Sequence, residues 1–411
     1  MSETTKKIHN PFTALKHKNF RLFWIGMCVS LIGTWMQNIA QPWLAYTLTK
    51  SPLLLALVSA MQFLPMLFFS LFAGAIIDKL PKKKLLIYTQ SASLVITLIL
   101  AILTASGHIQ YWHILVMATL LGIVNTLDMP ARQAFLVELV EKEDLMNAIA
   151  LNSSIFNLAR IIGPALAGVI MGMFGVAPCF FINSVSFAAV IISLFFIKPL
   201  PIEKAIKKTE SMLTDIKEGL KFIRHSREIL STIIMLSIVS TFAMNFAVLV
   251  PVFSKTVLGF NETGFGLLMS IMGVGSFLGA ISIASMSRIG PQRFILKTVP
   301  YIIGTFLIVT GLTKLYYLTA LGLALTGFSF VAFSSTANTT VQLNTSNELR
   351  GRIMSVYTLV FIGTSPIGNL FAGAITQRFG AGAGFIACGA LVIILTLLMN
   401  LLKIAFREKR I

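Results

Sequence analysis

Gly163-Pro164-Ala165-Leu166-Ala167-Gly168, closing at Phe174-Gly175, has a counterpart later in the chain: Gly368-Asn369-Leu370-Phe371-Ala372-Gly373, closing at Phe379-Gly380. Gly163 to Gly368, Gly168 to Gly373 and Gly175 to Gly380 are each 205 residues apart in a chain of 411. That offset is half the chain. Each stretch sits in an apolar run long enough to cross a hydrocarbon layer, which takes about 20 residues. The match predicts two related halves, each built from membrane helices.

Hydropathy read outward from these stretches gives twelve apolar runs. Six lie near 20–46, 53–77, 85–105, 111–128, 147–173 and 177–197. Six more lie near 229–253, 264–287, 294–313, 316–342, 353–376 and 384–403. Hydrophobic residues make up 56% of the chain and charged residues 12%. A soluble domain carries about 25% charge, so lipid must cover much of the surface. The run beginning near Phe20 is too long for the apolar core of a secretory signal and has no small-residue cleavage site after it. It reads as the first span.

The formal charge is +18. In a soluble chain that would point to nucleic acid. Here the cations alternate with the spans. One side holds Lys6, Lys7, Lys16, Lys18 and Arg21, then Lys79, Lys82, Lys83 and Lys84. It also holds Lys198 to Arg227, Arg288, Arg293, Lys297, Arg350, Arg352 and a basic tail. The other side has only Lys50, Lys255, Lys314 and Arg378. Basic loops stay in the cytoplasm, so both termini are expected there, in a multi-pass protein of the cytoplasmic (inner) membrane. The basic excess then meets anionic lipid headgroups and no nucleic acid is expected.

The predicted organisation is an amino-terminal six-helix bundle over 1–197, a cytoplasmic linker over 198–228 and a carboxy-terminal six-helix bundle over 229–411. In the linker, Ile216, Leu220, Phe222 and Ile223 alternate with Lys217, Glu218, Lys221 and Arg224, a pattern for an amphipathic surface helix. Cys28, Cys179 and Cys388 are too scattered for a metal or disulfide framework and read as small apolar side chains. There is no phosphate-binding loop, metal cluster or nucleophile–base pair. No enzyme, cofactor or metal is expected, and no loop is large enough for a receptor domain.

Three groups of residues carry a family resemblance. Gly74-Ala75-Ile76-Ile77-Asp78-Lys79-Leu80-Pro81-Lys82-Lys83-Lys84 resembles the loop signature of the major facilitator superfamily, Gly-x-x-x-Asp-Arg-x-Gly-Arg-Arg, with Pro81 at the second glycine and lysines for arginines. Ala159 to Gly168, with Arg160, Gly163, Pro164 and Gly168, resembles the fifth-helix signature of its exporters, with alanine at two glycine positions. Phe20-Arg21-Leu22-Phe23-Trp24, Gly33-Thr34-Trp35-Met36-Gln37, Asp128-Met129-Pro130-Ala131-Arg132-Gln133 and Leu349-Arg350-Gly351-Arg352 are similar to the branch called transmembrane secretion effectors, which includes enterobactin-exporter-like proteins. The resemblance implies an all-α major facilitator fold of twelve helices in two pseudo-symmetric bundles. It implies export of a siderophore, drug or amphiphilic metabolite by alternating access, with protons as coupling ion. It also implies that Gly74, Asp78, Lys79, Lys82, Gly163, Pro164, Gly168, Arg350 and Arg352 serve conformational gating. An uptake carrier or lysophospholipid flippase on the same fold, or a non-transport membrane receptor, is the alternative. A monomer is expected.

Polar residues inside spans are costly and face a cavity or another helix. Thr34, Gln37, Asn38 and Gln41 are spaced i, i+3, i+4 and i+7, one face of the first span. Ser334, Ser335, Asn338, Thr339 and Gln342 stripe the tenth. Asn125 and Asn245 add single amides on the fourth and seventh. In the superfamily these spans line the central cavity, so Thr34, Gln37, Asn38, Gln41, Asn125, Arg160, Asn245, Ser335 and Asn338 are the candidate substrate-binding residues. Arg160 lies about 20 Å along its helix, too deep to snorkel, with no deep acid in any span. It is expected to face the cavity and favour anionic or catechol-like oxygens. Asp128 beside Arg132 reads as a structural ion pair. No proton carrier is assigned.

Overall fold

A computed structural model describes residues 12–200, 220–286, 290–346 and 349–408. The linker positions 201–219 lie outside these residues. What is described of the linker's end is helical, with Ile223 buried and Leu220 exposed. Twelve helical segments are long and apolar enough to cross a membrane. The first six are Lys18–Thr49, Pro52–Lys79, Lys82–Ala105, Tyr111–Leu136, Leu145–Phe174 and Ala177–Phe196. The seventh is two helices, Arg227–Ala243 and Phe246–Thr256. Glu262–Ser285, Arg293–Leu312 and Tyr316–Leu343 follow. The eleventh is again two, Arg350–Gly363 and Ser365–Phe379, and the twelfth is Ala381–Glu408.

Local chemistry sets the helix ends. The Ser51 hydroxyl accepts from Leu54 N ahead of Pro52, and Asn261 accepts from Gly264 N; both are side-chain caps on otherwise orphaned N–H groups. Gly175 and Gly380 close the fifth and eleventh spans with φ of +79° and +89°, a backbone region open to glycine. Large apolar side chains such as Phe68, Val95, Val185, Phe195 and Leu401 remain exposed, as lipid-facing residues must.

The helices pack as two groups. In the first group the first span packs on the fifth and sixth, the third on the fourth and sixth, and the second on the fourth. In the second group the ninth packs on the tenth and twelfth, the eighth on the tenth, and the eleventh on the twelfth. Two seams join the groups: fifth against eighth, and second against eleventh. The repeat explains why there are two. A Cβ on Gly163 would strike Trp35 of the first span, and one on Gly368 would strike Thr241 of the seventh. A Cβ on Gly168 would meet Gly266 of the eighth, and one on Gly373 would meet Ala56 of the second. Gly163 and Gly168 thus do the same packing in their half as Gly368 and Gly373 in theirs, letting backbones approach closely.

Two helix readings change. The fourth helix runs through Pro130 to Leu136, so Asp128 lies inside it and not at its end. The seventh and eleventh spans, expected whole, are interrupted. At the eleventh, Pro366 has no N–H for the Ile362 carbonyl, and its ring crowds that position; the helix stops at Gly363 and restarts at Ser365. At the seventh, the Asn245 amide donates to Thr241 O (2.9 Å) and Phe242 O (3.3 Å), competing with the backbone ladder.

Candidate functional site

The site is the face between the two halves. Five hydrogen bonds cross it among the described residues. Trp43 Nε1 donates to Glu262 Oε1 (3.1 Å), Ser51 Oγ to Gln377 Oε1 (2.8 Å) and Lys255 Nζ to Thr47 Oγ1 (3.5 Å). Thr263 Oγ1 donates to Gly168 O (3.1 Å) and Ser270 Oγ to Ile161 O (2.8 Å). All five lie between the end that bears Lys50, Lys255 and Lys314 and the middle of the helices. None lies toward the opposite end, the basic face bearing Lys82, Lys198, Arg227 and Arg350. The cross-half hydrogen bonds described therefore gather toward one face, the one opposite the basic end.

The fifth span forms the centre of the seam. Pro164 supplies no N–H to Arg160 O, and Gly273 of the eighth span backs onto that carbonyl, with room for no Cβ (2.8 Å). The eighth span's hydroxyls take up the neighbouring Ile161 and Gly168 carbonyls. Gly163, Pro164 and Gly168 are all buried here.

Arg160 is fifteen residues from Leu145 and fourteen from Phe174, mid-helix. Its side chain is half-buried. The Nε atom is buried without a partner, and the guanidinium carbon lies 5.9 Å from the Trp35 ring centroid, within cation–π range. Trp35 is held edge-on by Phe156 at 5.8 Å. No ion pair reaches Arg160 among the described residues.

The predicted stripe on the first span divides. Gln37 and Gln41 are buried. Gln37 Oε1 accepts from Asn183 Nδ2 (2.6 Å) on the sixth span and Thr97 Oγ1 (3.2 Å) on the third, and Gln37 Nε2 donates to Gln41 Oε1 (3.2 Å). That network binds the amino-terminal bundle together. Asn38 is exposed and Thr34 half-buried. Asn38 is nine residues, two and a half turns, beyond the exposed Val29, so it points away from that lipid-facing side.

On the tenth span, Gln342 Nε2 donates to Asn338 Oδ1 (2.6 Å), and Ser335 is half-buried. The Tyr357 hydroxyl of the eleventh donates to Ser334 O (3.1 Å) and its ring stacks on Phe361, which stacks on Phe330. Asn125 is half-buried on the fourth span. Asn245 is buried at the break in the seventh, near Gly368 and Cys388, and its Oδ1 has no partner. Among the described residues no hydrogen bond joins the first-span stripe to the tenth-span stripe.

Near the basic face, the side chains of Gly74, Asp78 and Lys79 lie outside the described set. Lys82 Nζ is 3.9 Å from Glu138; burial pushes the Glu138 carboxyl up, and Lys82 pulls against it. Lys83 Nζ donates to Ile197 O (2.8 Å) at the end of the sixth helix, a cation on the orphan carbonyls of a C-terminus. Arg350 is exposed and Arg352 half-buried at the start of the eleventh span. Asp128 is buried, paired with Arg132, and accepts from Thr89 Oγ1 and Gln90 Nε2, each at 2.7 Å. Arg160 is therefore not alone among charges inside helices; unlike Arg132, it has no acid partner among the described residues.

Sequence reasoning passed over Glu262. Among the described residues it is the only Asp or Glu at the face opposite the basic one. A search by depth within spans misses it; a search by face finds it.

Comparisons with known proteins agree with this architecture. The staphyloferrin A transporter of Staphylococcus aureus (strain NCTC 8325 / PS 47) is 27% identical over 401 residues, covering 92% of this chain and 94% of the relative. The multidrug efflux pump Tap of Mycolicibacterium fortuitum is 26% identical, covering 86% and 88%. Among solved structures, a bacterial homologue of the human lysosomal transporter Spinster, inward-facing and occupied, superposes with a TM-score of 0.77 at 11% identity, covering 95% of this chain and 97% of that one. The nucleoside transporter NupG superposes at 0.71 and 14% identity, covering 94% and 98%. The sequence profile described as transmembrane secretion effector matches residues 9–410. This chain belongs to the transmembrane secretion effectors, membrane transporters of the major facilitator superfamily.

Proposed function

We propose that this protein is a secondary active exporter that moves a small molecule bearing anionic or catechol-like oxygens out of the cytoplasm by alternating access. The carrying observation is Arg160: a guanidinium at mid-helix, against Trp35, with no acid to pair it. Placing an arginine at a bilayer centre costs about 2.5–3.5 kcal/mol on insertion scales. A lone one there is sustained by a water-filled cavity and by the ligand it receives. Thr34, Asn38, Asn125, Ser335 and Asn338, none of them fully buried, are the polar groups that surround the substrate in this reading. Gln37, Gln41 and Asn245 hold the bundles around it.

The basic face is taken as cytoplasmic, following the charge asymmetry. In this reading the cross-half hydrogen bonds at the outer face belong to an outward-closed state. The loop carrying Gly74, Asp78, Lys79 and Lys82, together with Arg350 and Arg352, is the proposed gate of the cytoplasmic side. The siderophore and multidrug transporters among the relatives support export, and protons are the proposed coupling ion.

The test is transport in proteoliposomes under an imposed pH gradient, with anionic and neutral candidates compared. A charge-assisted hydrogen bond contributes about 1.5–3 kcal/mol. Arg160→Gln is therefore expected to weaken an anionic substrate at least about tenfold, since each 1.4 kcal/mol is tenfold, with neutral substrates little changed. Unchanged affinity for the anionic substrate would sink the role of Arg160. Uphill uptake in cells would reverse the direction.

A further inference from the structure

Trp43 sits near the outer end of the first span and is almost wholly buried. Three side chains of the other half meet its indole. Its ring stacks on Phe265 of the eighth span, centroids 5.4 Å apart and 18° between planes. Lys255 of the seventh span lies 5.2 Å from its centroid. Its Nε1 donates to the Glu262 carboxylate at 3.1 Å. One side chain of the amino-terminal half is thus gripped by a ring, a cation and an acid of the carboxy-terminal half. Of these, the acid alone changes charge under mild acidification.

The other titratable groups at this corner are basic or phenolic. The first span adds Tyr46 and Lys50. The seventh adds Lys255. Before and at the start of the tenth come Lys314, Tyr316 and Tyr317, and the Tyr316 hydroxyl donates to Gly264 O (3.1 Å). The fifth span from Ile161 to Phe174 contains no titratable side chain. No second carboxylate is present among the described residues to take over from Glu262.

We propose that Glu262 is a proton-binding latch of the outer gate. Ionised, it accepts from Trp43 and holds the outer face shut. Protonated from the outside, it loses the charge that makes such hydrogen bonds about twice as strong as neutral ones and lets the halves part. The proton comes from the outer solution and returns to it when the gate recloses. Glu262 therefore sets which state is populated and carries no charge across the membrane. The sign is fixed: closure is present when the carboxylate is ionised and is lost as pH falls. This inference rests on the alternating-access reading, and its test needs no substrate.

Cys28, Cys179 and Cys388 are replaced, and spin labels are placed at Ser106→Cys and Leu315→Cys, exposed outer positions in opposite halves. Inter-label distances are measured in the reconstituted protein from about pH 8 to about pH 4.5, a window that brackets ordinary carboxylic acids. We expect the long-distance population to rise from the minor to the major component as pH falls. Glu262→Gln should hold it as the major component throughout. Trp43→Phe, which keeps the ring but loses the donor, should do the same, and Glu262→Asp should restore the pH response. Distances that ignore pH in the wild type, or a full response in Glu262→Gln, overturn the latch. A normal response with no flux of any candidate substrate would leave the latch standing and remove the exporter reading. Export with pH-independent distances would do the reverse.

Discussion

The two halves share a repeat but handle helix-breaking residues differently. The first and fifth spans hold Pro42 and Pro164 inside continuous helices. The corresponding spans of the other half, the seventh and eleventh, are broken at Met244–Asn245 and Thr364. The breaks touch: Ser240 Oγ lies 3.0 Å from Thr364 Oγ1, and Gly368 packs on Thr241 and Asn245. Polar chemistry is divided in the same way. In the amino-terminal half, buried polar side chains reach between helices: Asp128 to Thr89, Gln90 and Arg132, and Gln37 to Thr97 and Asn183. In the carboxy-terminal half many buried hydroxyls return to their own backbone one turn back, as Ser276, Thr326, Thr336 and Thr340 do. One half is cross-braced and the other is jointed. Under the proposed alternating access, a transporter built this way would bend in its carboxy-terminal half and keep Arg160 fixed in the other.

The sharpest way to break that contrast is to remove a brace. Asp128→Ala leaves Arg132 buried without its acid and Thr89 and Gln90 without their acceptor. Removing one member of a buried pair costs about 3–5 kcal/mol, which should appear as a large drop in thermal unfolding temperature in detergent. Thr336→Val, equally buried in the tenth span but bonded only to Ala332 O, should cost under about 1.5 kcal/mol. Equal losses at the two sites would erase the distinction between braced and jointed halves.

The joint itself is tested by Pro366→Ala, which restores the missing donor to the Ile362 carbonyl and relieves the ring. Amide exchange across 361–366 should slow as the helix becomes continuous. Turnover should fall, with each 1.4 kcal/mol added to the bending step worth about tenfold in rate. Unaltered turnover with slowed exchange would show that the eleventh span need not bend.

Much of this was legible beforehand, and the misses have physical causes. Twelve spans, the paired halves and the seam glycines follow from apolar length and the 205-residue match, because lipid leaves helices few alternatives. The breaks did not follow. Pro42, Pro65, Pro130, Pro164, Pro251 and Pro300 all sit within helices, so proline alone does not mark Pro366 as different. At the eleventh span the proline falls beside a contact that the sequence does not show, Ser240 Oγ to Thr364 Oγ1 at 3.0 Å. The stripe on the first span divides for a related reason: periodicity says which residues share a face, while the partners of Gln37 depend on where Asn183 and Thr97 stand. Glu262 escaped because its importance comes from Trp43, a partner 219 residues away.

A smaller effect tests whether bracing extends to the basic ends. In the amino-terminal half, Asp144 accepts from His17 Nε2 at 2.7 Å, and Ala14 N donates to Asn147 Oδ1 at 2.9 Å, tying the segment before the first span to the start of the fifth. The hydrogen bond from His17, and after it one from Thr13, holds the Asp144 carboxyl below the ordinary aspartate range. A lowered acid stabilises where it is ionised. Its contribution is complete above the unfolded-state pKa and fades as pH falls through the lowered value. The carboxy-terminal counterpart is Arg293–Glu228 at 3.0 Å, with Arg293 largely exposed; that pair should respond to salt, which screens exposed charges. Asp144→Asn is expected to speed amide exchange over 13–17 by about twofold to fivefold at neutral pH, and to make no difference once the wild-type carboxyl is protonated in acid. If the variant instead differs from the wild type equally at both pH values, the tie is one of shape and not of charge, and bracing stops at the buried core.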